Sequence, residues 1–424
     1  MQTIRFPYGK TYVEHTFGEE LQAVLTSRIE AYDPGKTANA LVEEALNAPI
    51  GSAPLWELAK GKRKVVLIAS DHTRPVPSRV IVPVMLRQIR RGNPEAEITI
   101  LIATGCHRET TRQELVDKFG EEIVERERIV IHDCDDSAHL TNIGVMPSGS
   151  PCIVNSLAVE ADLLVAEGFI EPHFFAGYSG GRKSVMPGIA GRSTVLGNHC
   201  SEFIDDPCAR TGVLAGNPIH RDMLWAAKTA GLCFITNVVL NGEKQVIHAV
   251  AGDLEAAHAA GVEFLSSLCG AEACEADVVI TTNGGYPLDQ NMYQAVKGMT
   301  AAEATVREGG VIVMLARSGD GIGGDHFYHQ LADEPDIGKT MALFRSRGRD
   351  ATVPDQWQTQ ILLRVLMHAH VIYVSEMDDD TVRQMHMIPA HSISEALDAA
   401  RKLLGNENPG ITAIPDGVSV VVKQ

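Results

Sequence analysis

Residues Val65–Pro75 read VVLIASDHTRP, an apolar run that passes directly into a polar turn. The run has the length and composition of a strand that is buried on both faces. A segment with the same layout, DVVITTNGGYP at Asp277–Pro287, lies in the other half of the chain. Strands of this kind are typical of parallel sheets that helices cover on both sides. The two segments therefore predict an α/β protein that contains two such sheets.

Further apolar runs alternate with segments of helical periodicity along the chain. This alternation predicts two Rossmann-like α/β domains with mostly parallel sheets and an active-site cleft between them. We place the N-terminal domain at residues 1–270 and the C-terminal domain at 271–411. The sequence does not decide whether the last strand, within 412–424, completes the N-terminal domain. The predicted strands are Val65–Ser70, Ile98–Ala103, Ile129–His132, Asp162–Ala166, Asp277–Thr282, Gly310–Ala316, Val371–Ser375 and Val418–Val422. Helices are predicted at Thr110–Phe119, Gln290–Glu308 and Ser392–Leu404.

The chain of 424 residues carries 37 Lys and Arg against 54 Asp and Glu, which gives a net charge of −17. This excess of negative charge repels phosphate backbones and anionic lipid, so binding to nucleic acid or to a membrane surface is disfavoured. The first residues lack the charged and apolar regions of a signal peptide, and every apolar run is shorter than a membrane span. We therefore expect a soluble, cytoplasmic protein.

The eight cysteines never form a C-x-x-C pair. That spacing argues against a zinc ribbon, a thioredoxin-type motif and an iron–sulfur cluster. Scattered reduced thiols that pack as small core residues are the simplest interpretation. Cys106 and Cys200 stand out because each lies next to a histidine in a polar loop, where a thiol is open to oxidation.

A glycine-rich loop reads EPHFFAGYSGGRKS over Glu171–Ser184. Its three glycines leave backbone N–H groups unshielded, and Arg182 and Lys183 add cationic donors, a composition that suits a phosphate or another anion. The loop almost matches a Walker A motif that begins at Gly177, but Arg182 stands where that motif requires glycine. A nucleotide-binding hydrolase is therefore only a distant alternative.

Three of the 16 histidines, His107, His173 and His199, lie in glycine-containing loops beyond predicted strand ends. Because ligands bind at the carboxyl ends of parallel strands, these imidazoles are candidate metal ligands, general bases or both. Their spacing alone leaves those roles open and does not name a metal. Arg74 and Lys297 are cations near the ends of the two matching strands and suit a small carboxylate substrate.

Four long polar segments make the chain similar to the lactate racemases that use a nickel-pincer nucleotide. They are SDHTRPVPS (Ser70–Ser78), ATGCHR (Ala103–Arg108), EGFIEPHFFAGYSGGRKSVMPGIA (Glu167–Ala190) and GGYPLDQNMYQAVKGMTAAEAT (Gly284–Thr305). The resemblance covers almost the whole chain, from PIGS at Pro49–Ser52 to IPDG at Ile414–Gly417. It implies an isomerase with two α/β domains.

The resemblance also implies a cofactor, a pyridinium mononucleotide that binds nickel through a ring carbon and the sulfurs of a thioamide and a thiocarboxylate. It implies that Lys183 forms the thioamide, that His199 is the fourth nickel ligand, and that His107 and His173 are the acid–base pair. The residues expected to bind the cofactor, including its phosphate, are Asp71, Thr73, Arg74, Gly177, Ser179 and Gly180. Those expected to bind the substrate, or to lie near it, are Arg74, Tyr293, Gln294, Lys297 and Trp357.

The implied reaction is the interconversion of D- and L-lactate by proton-coupled hydride transfer through pyruvate. The implied partners are separate enzymes that carboxylate, sulfurate and nickel-load the cofactor. Another 2-hydroxy acid, such as malate or phenyllactate, is the nearest alternative substrate, because the sequence does not define the size of the pocket. A cleft that only stores nickel is a third possibility, but it leaves Arg74, Gln294 and Lys297 without a role.

Overall fold

The computed structural model describes residues 1–423, and the chain divides into two compact units. The N-terminal unit consists of residues 29–198 and 208–267, and the C-terminal unit consists of residues 1–28, 199–207 and 268–423. Each unit contains its own six-stranded, mostly parallel sheet. The prediction of a two-part α/β fold is thereby confirmed. Within the described chain, the helices are all too short or too polar to cross a membrane.

The sheet of the N-terminal unit is parallel except for one edge strand. Lys64–Ser70 pairs with Leu163–Phe169 on one side and with Glu97–Ala103 on the other. Residues 65–69 and 98–102 are buried without exception, which explains why these strands are apolar on both faces. Across the sheet the strands follow the order Val246–Gly252, Leu232–Leu240, Leu163–Phe169, Lys64–Ser70, Glu97–Ala103 and Arg128–Ile131.

The helix Ser78–Gly92 contributes Ile81, Met85 and Ile89 to the core of this unit. These side chains recur every four residues and therefore lie on one face of the helix. The other helices that begin in the unit are Ala38–Asn47, Leu55–Leu58, Arg112–Phe119, Glu121–Arg126, Ser156–Val159, Arg192–Asn198, Pro218–Thr229 and Ala256–Cys269. Short 3₁₀ segments span Ser137–His139 and Gly181–Ser184, and two small antiparallel pairs join Leu140–Val145 to Pro151–Asn155 and Pro172–His173 to Gly177–Tyr178.

The sheet of the C-terminal unit is parallel throughout, in the order Ile388–Ala390, His370–Val374, Val306–Leu315, Ala276–Thr282, Ile411–Ile414 and Leu21–Val24. A hairpin of Gln2–Tyr8 and Thr11–Phe17 packs Ile4, Phe6 and Phe17 into the same core as the central strands. The helices are Ser201–Asp205, Met292–Glu303, Asp325–Ala332, Ile337–Ser346, Gln356–His368, Asp379–Gln384 and Ile393–Leu404, with a 3₁₀ turn at Arg349–Ala351.

The two units divide the chain differently from the predicted domains. Leu21–Val24 pairs with Ile411–Ile414, so residues 1–28 belong with the later half of the chain rather than with the N-terminal unit. The final strand, Val421–Lys423, pairs with Gly270–Glu272 and also lies in the C-terminal unit. These pairings join residues that are far apart in sequence, and the local hydrophobic pattern carries no signal for them.

Candidate active site

Asp71 and His107 are brought together by the ends of two neighbouring strands. Ser70 lies opposite Ala103 in the sheet, and the chain leaves the sheet after each of them. As a result Oδ2 of Asp71 lies 2.7 Å from Nδ1 of His107. The Asp71 side chain is 1% exposed, whereas the His107 side chain is 42% exposed. The imidazole therefore faces solvent while its partner carboxylate is enclosed.

The hydrogen bond between Asp71 and His107 determines which nitrogen of the neutral His107 ring carries the proton. A carboxylate accepts the proton on Nδ1, so Nε2 is left as the acceptor nitrogen, which is the arrangement a general base needs. Burial raises the pKa of Asp71, but the hydrogen bonds from His107 and Thr73 outweigh that effect and hold the pKa below its usual value. Asp71 is thus a carboxylate throughout the neutral range.

Two side chains that the sequence analysis did not identify support the turn that follows the strand Lys64–Ser70. Glu167 is 1% exposed, and its Oε1 accepts hydrogen bonds from the backbone N–H and the hydroxyl of Ser70, both at 2.9 Å, and from the hydroxyl of Ser78 at 3.1 Å. Lys118 donates from Nζ to the carbonyl oxygen of Arg74 at 3.2 Å, and burial lowers the pKa of this lysine. Thr73 and Arg74 themselves are exposed.

His173 and Lys183 lie in the glycine-rich loop, with Nε2 of the histidine 3.4 Å from Nζ of the lysine. The backbone N–H of Ala176 donates to Nδ1 of His173 at 3.3 Å and so orients the ring. Phe174 and Phe175 both pack against the imidazole, with ring centroids 5.1 and 4.5 Å away. The loop thus presents a primary amine beside a ring whose orientation is fixed.

Arg182, the residue that breaks the Walker pattern, is fully buried and holds the loop from inside. Its Nη2 donates to the carbonyl oxygen of Ala176 at 2.8 Å, and its Nη1 lies 3.4 Å from the carbonyl oxygens of Ser179 and Gly180. His258, from a helix much later in the chain, donates from Nε2 to the carbonyl oxygen of Ser179 at 2.8 Å. Arg182 is therefore a structural residue of the loop rather than a ligand for an anion.

The predicted anion cradle in this loop is largely committed to internal contacts. The hydroxyl of Ser179 donates to the carbonyl oxygen of Phe169 at 3.0 Å and accepts from the backbone N–H of Glu171 at 2.9 Å. Gly177 has φ +77°, and a Cβ there would lie 2.4 Å from the carbonyl oxygen of Val213. Gly180 has φ +76°, and a Cβ there would lie 2.9 Å from the carbonyl oxygen of Phe169. A role for these residues in binding the cofactor stays a prediction.

His199 and Trp357 meet in the C-terminal unit. Their ring centroids are 5.2 Å apart in an edge-to-face arrangement, and His199 is only 5% exposed. The segment after the histidine is anchored where Nε2 of Gln360 donates to the carbonyl oxygen of Ser201 at 3.0 Å. The indole therefore packs against the imidazole that is the predicted nickel ligand.

The helix Met292–Glu303 presents the other predicted substrate residues of this unit. Asn291 caps it by accepting a hydrogen bond from the backbone N–H of Gln294. Lys297, one turn further on, donates from Nζ to Oε1 of Gln294 at 2.7 Å. The hydroxyl of Tyr293 donates to Oδ1 of Asp355 at 3.3 Å, and burial, followed by the charge of that carboxylate, raises the pKa of the phenol. The helix thus carries a phenol, an amide and a lysine within its first six residues.

Comparison with known proteins identifies the family of the chain. The family profile of the lactate racemase N-terminal domain matches residues 8–212, and that of the lactate racemase C-terminal domain matches residues 271–422. Lactate racemases from Thermoanaerobacterium thermosaccharolyticum and Lactiplantibacillus plantarum are each 51% identical to this chain, over 426 and 425 residues, with 100% of both sequences covered. The chain is therefore an isomerase of the racemase class. It belongs to the lactate racemase family.

Solved structures agree with the fold. The lactate racemase apoprotein from Thermoanaerobacterium thermosaccharolyticum has a TM-score of 0.96 at 50% identity, and each chain covers 100% of the other. A crystal structure of a protein from Thermotoga maritima has a TM-score of 0.65 at 18% identity, with 91% of this chain and 98% of that one covered. At this identity the second likeness concerns the fold alone.

Proposed function

We propose that this protein interconverts D- and L-lactate as a nickel-dependent racemase. The observation that carries the proposal is the pair of imidazoles in the N-terminal unit. His107 is oriented by Asp71 at 2.7 Å, and His173 lies 3.4 Å from Lys183. A racemase needs a proton-transfer group for each hand of its substrate, and two such groups are present. The full-length relatives are lactate racemases, and the one with a solved structure has the same overall fold.

The chemistry of a 2-hydroxy acid explains what these residues do. Removing the C2 hydrogen as a proton places a carbanion beside an existing carboxylate charge, which is costly. Removing it as hydride, while a base takes the hydroxyl proton, produces planar pyruvate instead. His107 is suited to take that proton because Asp71 leaves its Nε2 as an acceptor. His173, whose Nε2 lies beside Lys183, is the second imidazole, and its protonated form is suited to deliver a proton on the opposite face.

A nickel-pincer nucleotide is the proposed cofactor, and when bound it supplies the hydride acceptor that no side chain provides. The residues present suit such a group. Lys183 offers a half-buried amine for a thioamide linkage, and His199 offers a buried imidazole, a ligand that suits nickel. Thr73 and Arg74 are exposed in the turn beyond a strand end, where a hydroxyl and a guanidinium suit a phosphate. The solved relative is an apoprotein, as expected for a family whose members take up a cofactor.

We assign the binding of the substrate carboxylate to two cations, Arg74 and Lys297. Arg74 can hold a carboxylate through two parallel hydrogen bonds, and Lys297, fixed by its hydrogen bond to Gln294, adds a point charge. Tyr293 and Trp357 are the proposed neighbours of the pocket. An anchor of this kind keeps the intermediate in place while the keto group turns over, so that hydride returns to its other face.

Purified holoenzyme, produced together with the carboxylase, sulfur transferase and nickel insertase that make the cofactor, tests the activity by chiral analysis of D- and L-lactate. We expect His107→Ala and His173→Ala each to abolish racemisation, with Lys339→Ala, at a side chain that is 70% exposed, as the control. Full activity in either histidine variant contradicts the assignment of the bases. A negligible rate with lactate beside a fast rate with malate or phenyllactate would reassign the substrate.

The tether is tested by intact mass and peptide mapping of the same preparation. We expect an adduct of nucleotide size on Lys183, about one nickel per chain, and no adduct in Lys183→Ala. An adduct on another residue refutes the tether. Absence of both adduct and nickel, while a control racemase is loaded in parallel, refutes the cofactor assignment.

A further inference from the structure

Two cysteines of the N-terminal unit lie at the same edge of the sheet. Cys106 follows Glu97–Ala103 by three residues, and Cys134 follows Arg128–Ile131 by three residues. The two strands are parallel neighbours, with Ile102 opposite Ile131. Neighbouring strands are about 4.8 Å apart, within the Cα separations of about 4.4–6.8 Å that a disulfide spans.

The loops that carry the two cysteines are tied to each other. Thr104 donates from Oγ to the carbonyl oxygen of His132 at 2.5 Å, and the backbone N–H of His132 donates to the carbonyl oxygen of Ile102 at 3.1 Å. The loops that carry Cys106 and Cys134 are therefore held side by side in the reduced protein.

The two thiols differ in exposure and in acidity. Cys106 is exposed, whereas Cys134 is buried, with 6% of its surface accessible. Interaction with the Cys134 thiol lowers the pKa of Cys106 against the opposing effect of burial; the positive charge of Arg192 also lowers this pKa, and the negative charge of Asp135 raises it. The same interaction between the thiols raises the pKa of Cys134. Arg192 is held in place by Asp135, which accepts two hydrogen bonds from its guanidinium at 2.7 Å.

We propose that Cys106 and Cys134 form a redox modification site that a hydroperoxide converts into a reversible disulfide. The Cys106 thiolate attacks one peroxide oxygen, the O–O bond breaks, and hydroxide leaves, so that the sulfur becomes a sulfenic acid. The Cys134 thiol then attacks that sulfur, the S–O bond breaks, and water leaves with the Cys134 proton. The peroxide is reduced by two electrons, and the two thiols supply them. A dithiol reductant reverses the step by thiol–disulfide exchange.

The other cysteines of the chain provide the contrast. Burial raises the pKa of both Cys152 and Cys269 to about 12, so these thiols stay protonated. Cys233 is exposed like Cys106, but burial of its sulfur raises its pKa. Exposure together with a thiolate-favouring contact is the combination that marks reactive cysteines, and Cys106 has both.

The site adjoins the proposed catalytic base, because His107 is the next residue in the chain. The turn is short, since the backbone N–H of His107 donates to the carbonyl oxygen of Thr104 at 3.0 Å. Closing the disulfide draws the Cys106 side chain toward Cys134 and constrains this turn. Oxidation is therefore expected to weaken the contact between His107 and Asp71 and to lower racemisation, and reduction is expected to restore it.

The test uses full-length protein treated with hydrogen peroxide, blocked with an alkylating reagent and mapped by mass spectrometry. This readout does not depend on cofactor or activity, so its outcome is independent of the proposed function. We expect a peptide pair joined through Cys106 and Cys134 that dithiothreitol separates. Alkylation of Cys106 in the reduced protein should be at least ~10-fold faster than that of Cys233.

Three variants test which thiols form the disulfide. Cys134→Ser should stop the reaction at a sulfenic acid on Cys106 that a dimedone probe captures, and Cys106→Ser should give no disulfide. Cys233→Ser, which removes a second exposed thiol, should form the disulfide as the unsubstituted protein does. A disulfide through a different cysteine, or equal alkylation rates for Cys106 and Cys233 in the unsubstituted protein, overturns the proposal.

Discussion

The Nδ1 atom of His107 lies 2.7 Å from Oδ2 of Asp71, although the two residues are 36 positions apart in the chain. A second pair of the same chemistry, Asp136 with His139, lies at 2.6 Å but is formed locally, three residues apart. The two pairs differ in burial, because the Asp71 side chain is 1% exposed and that of Asp136 is 41% exposed. A charge enclosed in this way interacts more strongly with its partner than one in water. The comparison separates an imidazole whose partner carboxylate is buried from one whose partner carboxylate is exposed.

Asp71→Asn is expected to lower kcat for both D- and L-lactate by roughly 10²–10⁴-fold. The amide removes the negative charge that stabilises the protonated ring and no longer fixes the proton on Nδ1. Both directions are affected because each passes through the same two histidines. Steady-state rates with each enantiomer measure the effect. Asp136→Asn is the matched control and should leave the rates unchanged; equal losses in the two variants would show that the pair at Asp71 has no special role.

Arg182→Lys is expected to destabilise the N-terminal unit by about 2–4 kcal/mol and to reduce cofactor loading on Lys183. The lysine keeps a positive charge but cannot reach the carbonyl oxygens of Ala176, Ser179 and Gly180 together, so buried acceptors lose their donors. Urea unfolding and intact mass measure the two effects.

Arg126→Lys, at an exposed helical ion pair with Glu122, is the control for the Arg182 substitution and should change neither quantity. Unchanged stability in Arg182→Lys would mean that the loop holds its shape without the guanidinium. In that case the position of Lys183 depends on the hydrogen bond from His258 to Ser179 instead.

The ends of the central strands were predictable because they are marked by a change from apolar to polar residues. Lys64–Ser70 and Ala276–Thr282 each begin one residue before the predicted strand and end where it ends. The helix predicted at Gln290–Glu308 spans Met292–Glu303, because Val306 already belongs to a strand and lies opposite Ala276. Such a pairing depends on the rest of the sheet, which a local window does not contain.

The supporting residues of the site could not be predicted for the same reason. Glu167 contacts Ser70 across 97 positions, and His258 contacts Ser179 across 79. Each looks unremarkable in its own segment, one in a buried strand and the other in an apolar helix. The candidate site residues were easier to propose because they cluster in a few polar loops, whereas the side chains that hold them come from distant parts of the chain that the fold brings close.

The free energy of unfolding is expected to fall as the pH is lowered from 7 toward 4. Burial, reinforced by the charge of Arg182, lowers the pKa of His258 to about 3 and that of His220 to about 4, against 6.5 for an ordinary histidine. Below pH 6.5 the unfolded chain therefore binds protons that the folded protein does not. Each such histidine costs on the order of 1.4 kcal/mol of stability per pH unit until its folded pKa is reached.

Urea titrations at several pH values measure this dependence. His258→Gln should flatten it, because one of the groups that binds protons only in the unfolded chain is removed. His329→Gln, at a ring that is 62% exposed, is the control and should leave the slope as it is. A slope that does not respond to His258→Gln would show that this ring takes up protons in the folded state.

Lys297→Ala is expected to raise KM for lactate by roughly 10–100-fold with a smaller change in kcat, as for loss of one charge-assisted hydrogen bond. The reason is that a carboxylate anchor acts equally on bound substrate and transition state, so its loss weakens binding without changing the chemical barrier. Lys297→Arg should recover part of the loss, and Lys339→Ala, at an exposed side chain, should change nothing. If kcat falls while KM stays constant, the lysine instead stabilises charge that develops only during the reaction. The carboxylate would then be held by Arg74, and the ammonium would belong beside the oxygen on C2.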